Sequence, residues 1–144
     1  MNREDVKTGI VAGLAGGFIL LAVNSMTGYL SGYLYALVPI FWKDMTDTWL
    51  LGMFLYNLLA GLLMGIVYSI VKDSIPDEGI MKGINFGFLV WLIGPFLGMY
   101  LTYLTFAIPT ILVLVWAVAN LITYPLAGAS IAFVFDHIQS NQTK

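Results

Sequence analysis

The stretch NLLAGLLMGIVYSIVKDSI, Asn57–Ile75, decides how this chain is organised. It places an amide side chain at the start of an apolar run, a glycine eight residues later and an aspartate sixteen residues later. The stretch NLITYPLAGASIAFVFDHI, Asn120–Ile138, repeats the same order. A pattern that occurs twice in one short chain indicates two related structural units.

Charged residues are few and are confined to short segments. The chain of 144 residues is 60% hydrophobic and 10% charged, whereas soluble domains carry about 25% charged residues. Three charge-free runs cover residues 8–42, 48–71 and 83–135. Because about 20 apolar residues cross a bilayer, these runs hold one, one and two crossings. We therefore predict an all-α, multi-pass protein of the cell membrane, folded as a four-helix bundle.

The charges and prolines divide the apolar sequence into four helices. Their predicted ranges are about Lys7 to at least Gly28, Trp49–Val71, Ile80–Tyr103 and Pro109–Phe135. Pro95 falls inside the third helix, and Pro125 should kink the fourth. The whole chain, 1–144, is predicted to form a single transmembrane domain of two hairpins, one over about 8–72 and one over about 80–136.

Residues 29–42 are apolar but rich in aromatic side chains, and they have two interpretations. Either the first helix is long and tilted and continues through them, or it ends near Tyr29 and an interfacial segment follows. Pro39 should mark the end of regular helix in this segment. Under both interpretations an aromatic belt includes Tyr29, Tyr33, Tyr35 and Trp42.

The orientation of the bundle follows from lysine and arginine. The first apolar segment is longer than the roughly 7–15 residues of a signal-peptide core, so we expect it to remain as an uncleaved helix. Lys43 is then alone on one side of the membrane. The basic residues on the other side are Arg3, Lys7, Lys72, Lys82 and Lys144. The positive-inside rule therefore predicts that both the N- and C-termini are cytoplasmic.

The two halves of the chain align over more than the opening pattern. Between the second and fourth helices the matching pairs are Asn57/Asn120, Leu58/Leu121, Gly65/Gly128, Val71/Val134, Asp73/Asp136 and Ile75/Ile138. GIVAG at Gly9 also matches GINFG at Gly83. We interpret the halves as parallel repeats related by an axis along the membrane normal. Chance similarity between apolar segments is the alternative.

Asn24, Asn57 and Asn120 lie deep in the predicted spans. At about 1.5 Å per residue, Asn57 is roughly 12 Å below Trp49 and Asn120 roughly 17 Å below Pro109. An amide at this depth needs a hydrogen-bond partner, so these side chains should point into the bundle. Two interpretations stay open: the amides bond across helices as structural contacts, or they line a path for a solute.

Glycines at four-residue spacing predict close packing between helices. Such spacing leaves a flat strip on which another helix backbone can lie. The predicted packing glycines are Gly9, Gly13, Gly17, Gly61, Gly65, Gly83, Gly87, Gly94, Gly98 and Gly128. The first helix carries the longest strip, and we expect a homodimer contact there first.

The sequence offers little that supports catalysis or cofactor binding. The absence of cysteine excludes disulfides and thiolate metal sites. The single histidine, His137, lies beside Asp136 and is expected to cap a helix end rather than bind a metal. The predicted spans contain no charged residue, which argues against an ion-coupled pump. We expect no enzyme activity, no cofactor and no metal site.

The segment GLLMGIVY, Gly61–Tyr68, fits the pattern G-x-x-x-G-x-x-Y near one end of a helix. This pattern resembles small four-helix membrane proteins of bacteria and archaea that form families of unknown function. A histidine often precedes the pattern in those proteins, but here Asn57 stands four residues before Gly61. The resemblance therefore implies a four-helix membrane fold without a haem or metal site.

These observations predict a non-enzymatic structural or accessory component of a membrane assembly. Its expected partners are the lipid bilayer and either a second copy or a larger membrane complex. Nucleic acid is not expected as a partner, because the net charge of −2 provides no basic surface. The alternative function is a small channel or facilitator for a neutral or weakly polar solute, lined by the intramembrane asparagines.

Overall fold

A computed structural model describes residues 3–39 and 44–142 of the chain. Over these residues the chain is helical and contains no β-strand. The α-helices are α1 (Arg3–Leu30), α2 (Gly32–Tyr35), α3 (Asp47–Val71), α4 (Gly79–Trp91), α5 (Leu97–Thr105) and α6 (Thr110–Gln142). A 3-10 turn, Lys72–Ser74, extends α3, and a π-helical segment, Leu92–Phe96, joins α4 to α5.

Four helical segments are long and apolar enough to span a membrane, as the charge pattern predicted. They are Arg3–Leu30, Asp47–Ser74, Gly79–Thr105 and Thr110–Asn141. Neighbouring segments in the chain are antiparallel, since the start of α1 lies beside the end of α3. We call the end of the bundle where α1 begins and α6 finishes the terminal end. The opposite end is called the loop end.

The first helix ends near Tyr29, as the second interpretation of this segment expected. α1 stops at Leu30, where the Ser31 hydroxyl donates a hydrogen bond to the carbonyl of Thr27 at 2.6 Å. The chain then forms the four-residue helix α2. Regular helix is therefore interrupted well before Pro39. The predicted belt residue Trp42 and the basic residues Lys43 and Lys144 lie outside the described residues.

The last helix is longer than predicted. α6 continues to Gln142, whereas the apolar pattern suggested an end near Phe135. The polar residues beyond Phe135 extend the helix because they bond locally: the Ser140 hydroxyl donates to the carbonyl of His137 at 2.9 Å. His137 therefore lies inside α6, and the prediction that it caps a helix end was wrong.

The connection between α3 and α4 requires two residues in the left-handed backbone region. Asp77 has φ 72° and Gly79 has φ 54°. Aspartate and glycine are among the few residues that adopt this conformation at low cost. Asp77 is held by its carboxylate, which accepts a hydrogen bond from the Asn85 side chain at 2.6 Å. This turn reverses the chain and places α4 antiparallel to α3.

α1 and α3 pack backbone to backbone along their glycine strips. A Cβ atom placed on Gly9 would lie 2.5 Å from the carbonyl oxygen of Gly65, and one on Gly13 would lie 2.9 Å from the Cα of Leu62. Real Cβ atoms essentially never come so close to another heavy atom, so only glycine permits this approach. The strip on α1 is thus covered by α3 and is not a free surface for a second copy.

α4 and α6 pack in the same way. A Cβ atom on Gly83 would lie 2.6 Å from the Cβ of Ala132, and one on Gly87 would lie 2.7 Å from the Cα of Pro125. Gly128 in turn faces Gly83 and Gly87. We call α1 with α3 the first hairpin, and α4 and α5 with α6 the second hairpin.

The glycine contacts of the two hairpins correspond position by position. The corresponding contacts are Gly9–Gly65 with Gly83–Gly128, Gly9–Ser69 with Gly83–Ala132, and Gly13–Leu62 with Gly87–Pro125. In each of these three cases, the two residues in contact in the first hairpin align in sequence with the two residues in contact in the second. Equivalent sequence positions therefore make equivalent backbone contacts.

The hairpins are joined through α1 and α6 and through an aromatic cluster. Gly16 on α1 lies against Ile131 of α6. Tyr68 of α3 is 1% exposed and makes edge contacts with Phe86 of α4 and Phe135 of α6, with ring centroids 5.3 and 5.5 Å apart. Small and aliphatic residues thus bring α1 close to α6, whereas aromatic rings keep α3 and α4 further apart.

The close approach of α1 and α3 makes a direct prediction about stability. Gly65→Ala should destabilise the fold by about 1–3 kcal/mol, because the new Cβ would lie 2.6 Å from the Cα of Gly13. Gly52→Ala, on the same helix, has open space around it and should be neutral or stabilising by up to about 1 kcal/mol. The free energy of unfolding in detergent measures both. Equal effects of the two substitutions would contradict the packing.

Candidate functional site

The side chain of Asn57 is hydrogen-bonded at both its oxygen and its nitrogen. The side-chain nitrogen of Asn24 donates to the side-chain oxygen of Asn57 at 2.7 Å. The side-chain nitrogen of Asn57 donates to the carbonyl of Met53 at 2.8 Å. Asn57 is 1% exposed and is therefore isolated from the surroundings of the protein. The structure thus brings two of the three predicted polar residues together.

Helix geometry explains why these two side chains meet. Gly17 allows α3 to approach α1, because it lies against the backbone of Asn57 and Leu58. Side chains on a helix lean toward its N-terminus. Since α1 and α3 are antiparallel, Asn57 leans toward the loop end, whereas Asn24 leans toward the terminal end and therefore toward Asn57. The two amides converge on one level of the hairpin.

Asn120 occupies the corresponding position in the second hairpin but lacks the partner. Its side-chain nitrogen donates to the carbonyl of Trp116 at 2.8 Å, just as Asn57 donates to Met53. The residue aligned with Asn24 is Gly98, which has no hydrogen-bonding side chain. Among the described residues, the side-chain oxygen of Asn120 accepts no hydrogen bond. Asn120 is half-buried and makes no hydrogen bond to either of the other two asparagines.

The second hairpin is open toward the loop end. Trp91 stands at the position aligned with Gly17, so the close approach seen in the first hairpin cannot continue there. Gly94 and Gly98 have no neighbouring atom within 4 Å of a Cβ placed on them, so the prediction that these two glycines pack against another helix is not met among the described residues. No residue of α5 is buried. The proline of the π-helical segment, Pro95, lies where the opening begins.

Trp91 carries a buried polar atom that is not satisfied. The side chain is 9% exposed, and its indole nitrogen, Nε1, is buried without a hydrogen-bond partner. Its ring packs against Phe88 and Phe96, with centroids 5.6 and 5.1 Å away. The sequence pattern alone does not distinguish Trp91 as a site residue. The available signal was its alignment with Gly17, where a large aromatic residue replaces a packing glycine.

A polar cluster joins three helical segments at the terminal end. The Gln139 side chain of α6 donates to the carboxylate of Asp5 in α1 at 2.8 Å. The Lys72 ammonium, at the end of α3, is 3.9 Å from the same carboxylate and 5.6 Å from the centre of the Phe135 ring. Lys72 and Asp5 are 18% and 24% exposed, so solvent screens them only in part. This cluster ties the two hairpins together.

His137 lies on the outer side of α6, away from this cluster. Its ring stacks on Phe133 and its Nε2 atom is 3.3 Å from the side-chain nitrogen of Asn141. An open cleft beside it is lined by Gly79, Ile80, Phe133, Asp136, His137 and Ser140. Within residues 3–39 and 44–142, no three histidine, aspartate or glutamate side chains are grouped as a metal site.

A comparison with protein-family models, with curated proteins and with solved structures finds no match to this chain. The candidate site is therefore defined by its geometry. It consists of the side-chain oxygen of Asn120 and the buried indole N–H of Trp91, which have no hydrogen-bond partner among the described residues, whereas Asn24 and Asn57 of the first hairpin bond to each other.

The Asn24–Asn57 bond can be measured with a double-mutant cycle. Asn24→Ala, Asn57→Ala and the double variant should show a coupling energy of about 0.6–1.7 kcal/mol, the range known for hydrogen bonds between membrane helices. The matched cycle of Asn24→Ala with Asn120→Ala should show a smaller coupling, because no hydrogen bond joins these two side chains. Comparable coupling in both cycles would contradict the pairing.

Proposed function

We propose that this chain is a non-enzymatic, multi-pass membrane protein that acts as a structural or accessory component of a membrane assembly. The observation that carries this proposal is the hydrogen bond that the Asn24 side-chain nitrogen donates to the Asn57 side-chain oxygen. This bond holds α1 to α3, and together with the bond to Met53 it engages both the oxygen and the nitrogen of the Asn57 side chain. Polar residues in the first hairpin therefore serve packing rather than chemistry.

Membrane insertion is supported by the outward faces of the four long helices. Large apolar side chains are exposed along each of them, including Phe18 on α1, Leu59 on α3, Leu101 on α5 and Phe133 on α6. Such extensive apolar exposure is unfavourable in water but suits a lipid environment. The long apolar spans have the length that a bilayer requires.

We place the terminal end in the cytoplasm on the basis of the positive-inside rule. The described basic residues Arg3, Lys7, Lys72 and Lys82 all lie in or beside this end. Because the chain has no cysteine, a cysteine introduced at Ser74 is the only reactive thiol. Modification of that cysteine by an impermeant thiol reagent in intact cells would contradict the orientation.

We also propose that the hairpins are repeats of one ancestral unit. The support is the equivalence of their backbone contacts, in which Gly83 meets Gly128 as Gly9 meets Gly65. Chance similarity between apolar sequences explains shared residue types, but it does not explain shared contacts in the same order. Gly128→Ala should therefore destabilise the fold to the same degree as Gly65→Ala.

The second candidate function is a channel or facilitator for a neutral solute. It is favoured by one feature, the unpaired acceptor of Asn120 together with the unpaired indole donor of Trp91. The amide pair of the first hairpin does not contribute to such a path, because Asn57 is buried and bonded. A path would have to follow the second hairpin alone.

Purification in mild detergent followed by native mass spectrometry tests the accessory role. The proposal predicts a defined complex, either with a second copy or with another membrane protein. The free outward faces of α3 and α5 are the surfaces for that contact, since α1 is covered by α3. A protein that travels as a monomer with lipid alone would contradict the proposal.

Flux into liposomes distinguishes the two candidate functions. The accessory role predicts no flux of small neutral solutes above that of protein-free liposomes, and it predicts that Asn120→Leu changes stability only. If wild-type protein carried a solute and folded Asn120→Leu did not, the channel would be the correct function. Asn57→Leu is the matched control, because Asn57 is sealed inside the first hairpin.

A further inference from the structure

The indole N–H of Trp91 is a buried polar group without a hydrogen-bond partner among the described residues. The indole nitrogen can only donate a hydrogen bond. A buried donor without an acceptor costs free energy, and the cost is greater in a membrane interior, where water is scarce. Trp91 is 12 residues beyond Gly79, so it lies about 18 Å from the terminal end of α4. This depth is near the middle of a bilayer.

The helix register places Trp91 on the same level as Asn120. On α4, Gly83 faces Gly128 and Gly87 faces Tyr124 and Pro125. Because the helices are antiparallel, one further turn along α4 corresponds to one turn back along α6. Trp91 is therefore level with Asn120. In the first hairpin, Gly17 contacts the backbone of Asn57 at the corresponding level.

Asn120 supplies the complementary atom. Its side-chain nitrogen is engaged by the carbonyl of Trp116, so the oxygen is the free end of the amide. In the first hairpin the equivalent oxygen of Asn57 accepts from Asn24. The second hairpin has Gly98 instead and leaves this acceptor without a donor among the described residues.

We propose that the second hairpin binds the hydroxyl group of an uncharged molecule between Trp91 and Asn120. The hydroxyl oxygen accepts from the indole nitrogen of Trp91, and the hydroxyl hydrogen is donated to the side-chain oxygen of Asn120. A hydroxyl is the simplest group that satisfies a lone donor and a lone acceptor together. The absence of charged side chains between Gly83 and Phe135 makes a charged ligand unfavourable.

The surroundings favour a hydroxyl attached to an apolar body. Phe88 and Phe96 pack beside the Trp91 ring, and both are partly exposed on the outside of the helix pair. α5 has no buried residue, so the loop-end half of this hairpin is accessible from the lipid side. A lipid-soluble alcohol can enter laterally, whereas a water-soluble alcohol would have to come from the loop end.

The test follows the indole N–H signal of Trp91 by NMR. Protein labelled with ¹⁵N-tryptophan in detergent micelles is titrated with 1-decanol, with glycerol and with decane. Trp91→Phe assigns the signal, and Asn120→Leu removes the proposed acceptor. The Trp116 signal is an internal control, because its N–H already donates to the Tyr35 hydroxyl at 2.9 Å.

The proposal predicts a saturable downfield shift of the Trp91 signal with an alcohol and none with decane. Decanol alone identifies a lipid-side alcohol, and glycerol alone identifies an aqueous one. The apparent Kd should rise about fivefold to tenfold in Asn120→Leu, which corresponds to the loss of one hydrogen bond. Asn57→Leu should bind normally.

No shift with either alcohol, or an equal shift in Asn120→Leu, would overturn the proposal. Decane producing the same shift as decanol would also overturn it, because the effect would then come from apolar contact alone. The inference rests on the proposed membrane location but not on the accessory role. A protein that binds no alcohol and still forms a defined complex would refute only the site.

Discussion

The structure depends on one constraint: the backbones of paired helices touch, and only glycine allows them to do so. In both hairpins a glycine of the first helix lies against a backbone carbonyl of the second helix, as at Gly9 of α1 with Gly65 of α3 and at Gly83 of α4 with Gly128 of α6. In the membrane location proposed above, lipid would provide no hydrophobic force between helices, and van der Waals contact over such strips would be the main attraction available. The Asn24–Asn57 bond adds to this contact but is secondary, since such bonds contribute about 0.6 kcal/mol on average.

The same constraint explains how two similar hairpins acquire different properties. In the first hairpin, Gly17 continues the close approach and Asn24 reaches Asn57. In the second, Trp91 ends the approach, and the loop-end half separates into an exposed α5. Two differences between the halves, Trp91 in place of Gly17 and Gly98 in place of Asn24, leave the second hairpin with an indole N–H and an amide oxygen that have no hydrogen-bond partner among the described residues.

Much of the fold could be predicted because charge and hydropathy alone restrict it. The charge-free runs predicted four long apolar helices, and the structure has them. The end of α6 could not be predicted in this way, because the residues beyond Phe135 are polar and are held by side-chain hydrogen bonds, a local one from Ser140 to His137 and a distant one from Gln139 to Asp5. Glycine spacing identified surfaces for close packing but not which helix covers each surface. The strip on α1 was therefore assigned to a second copy, although α3 covers it.

The candidate site was harder to predict from the sequence than the fold. The depth of Asn24, Asn57 and Asn120 indicated that they need partners, but only helix adjacency determines that Asn24 meets Asn57 and that Asn120 stays alone. Trp91 looks like an ordinary apolar residue until its alignment with Gly17 is combined with the contacts around it. Pairwise contacts between distant helices are the information that composition and periodicity lack.

Direct observation of the glycine contacts in lipid tests the central claim. Solid-state NMR of protein labelled with ¹³C at glycine Cα, reconstituted in bilayers, reports which glycines lie close together. The structure predicts cross-peaks between Gly13 and Gly65 and between Gly87 and Gly128. A spectrum with neither cross-peak would show that the helices do not meet at glycine, and the account of both hairpins would be wrong.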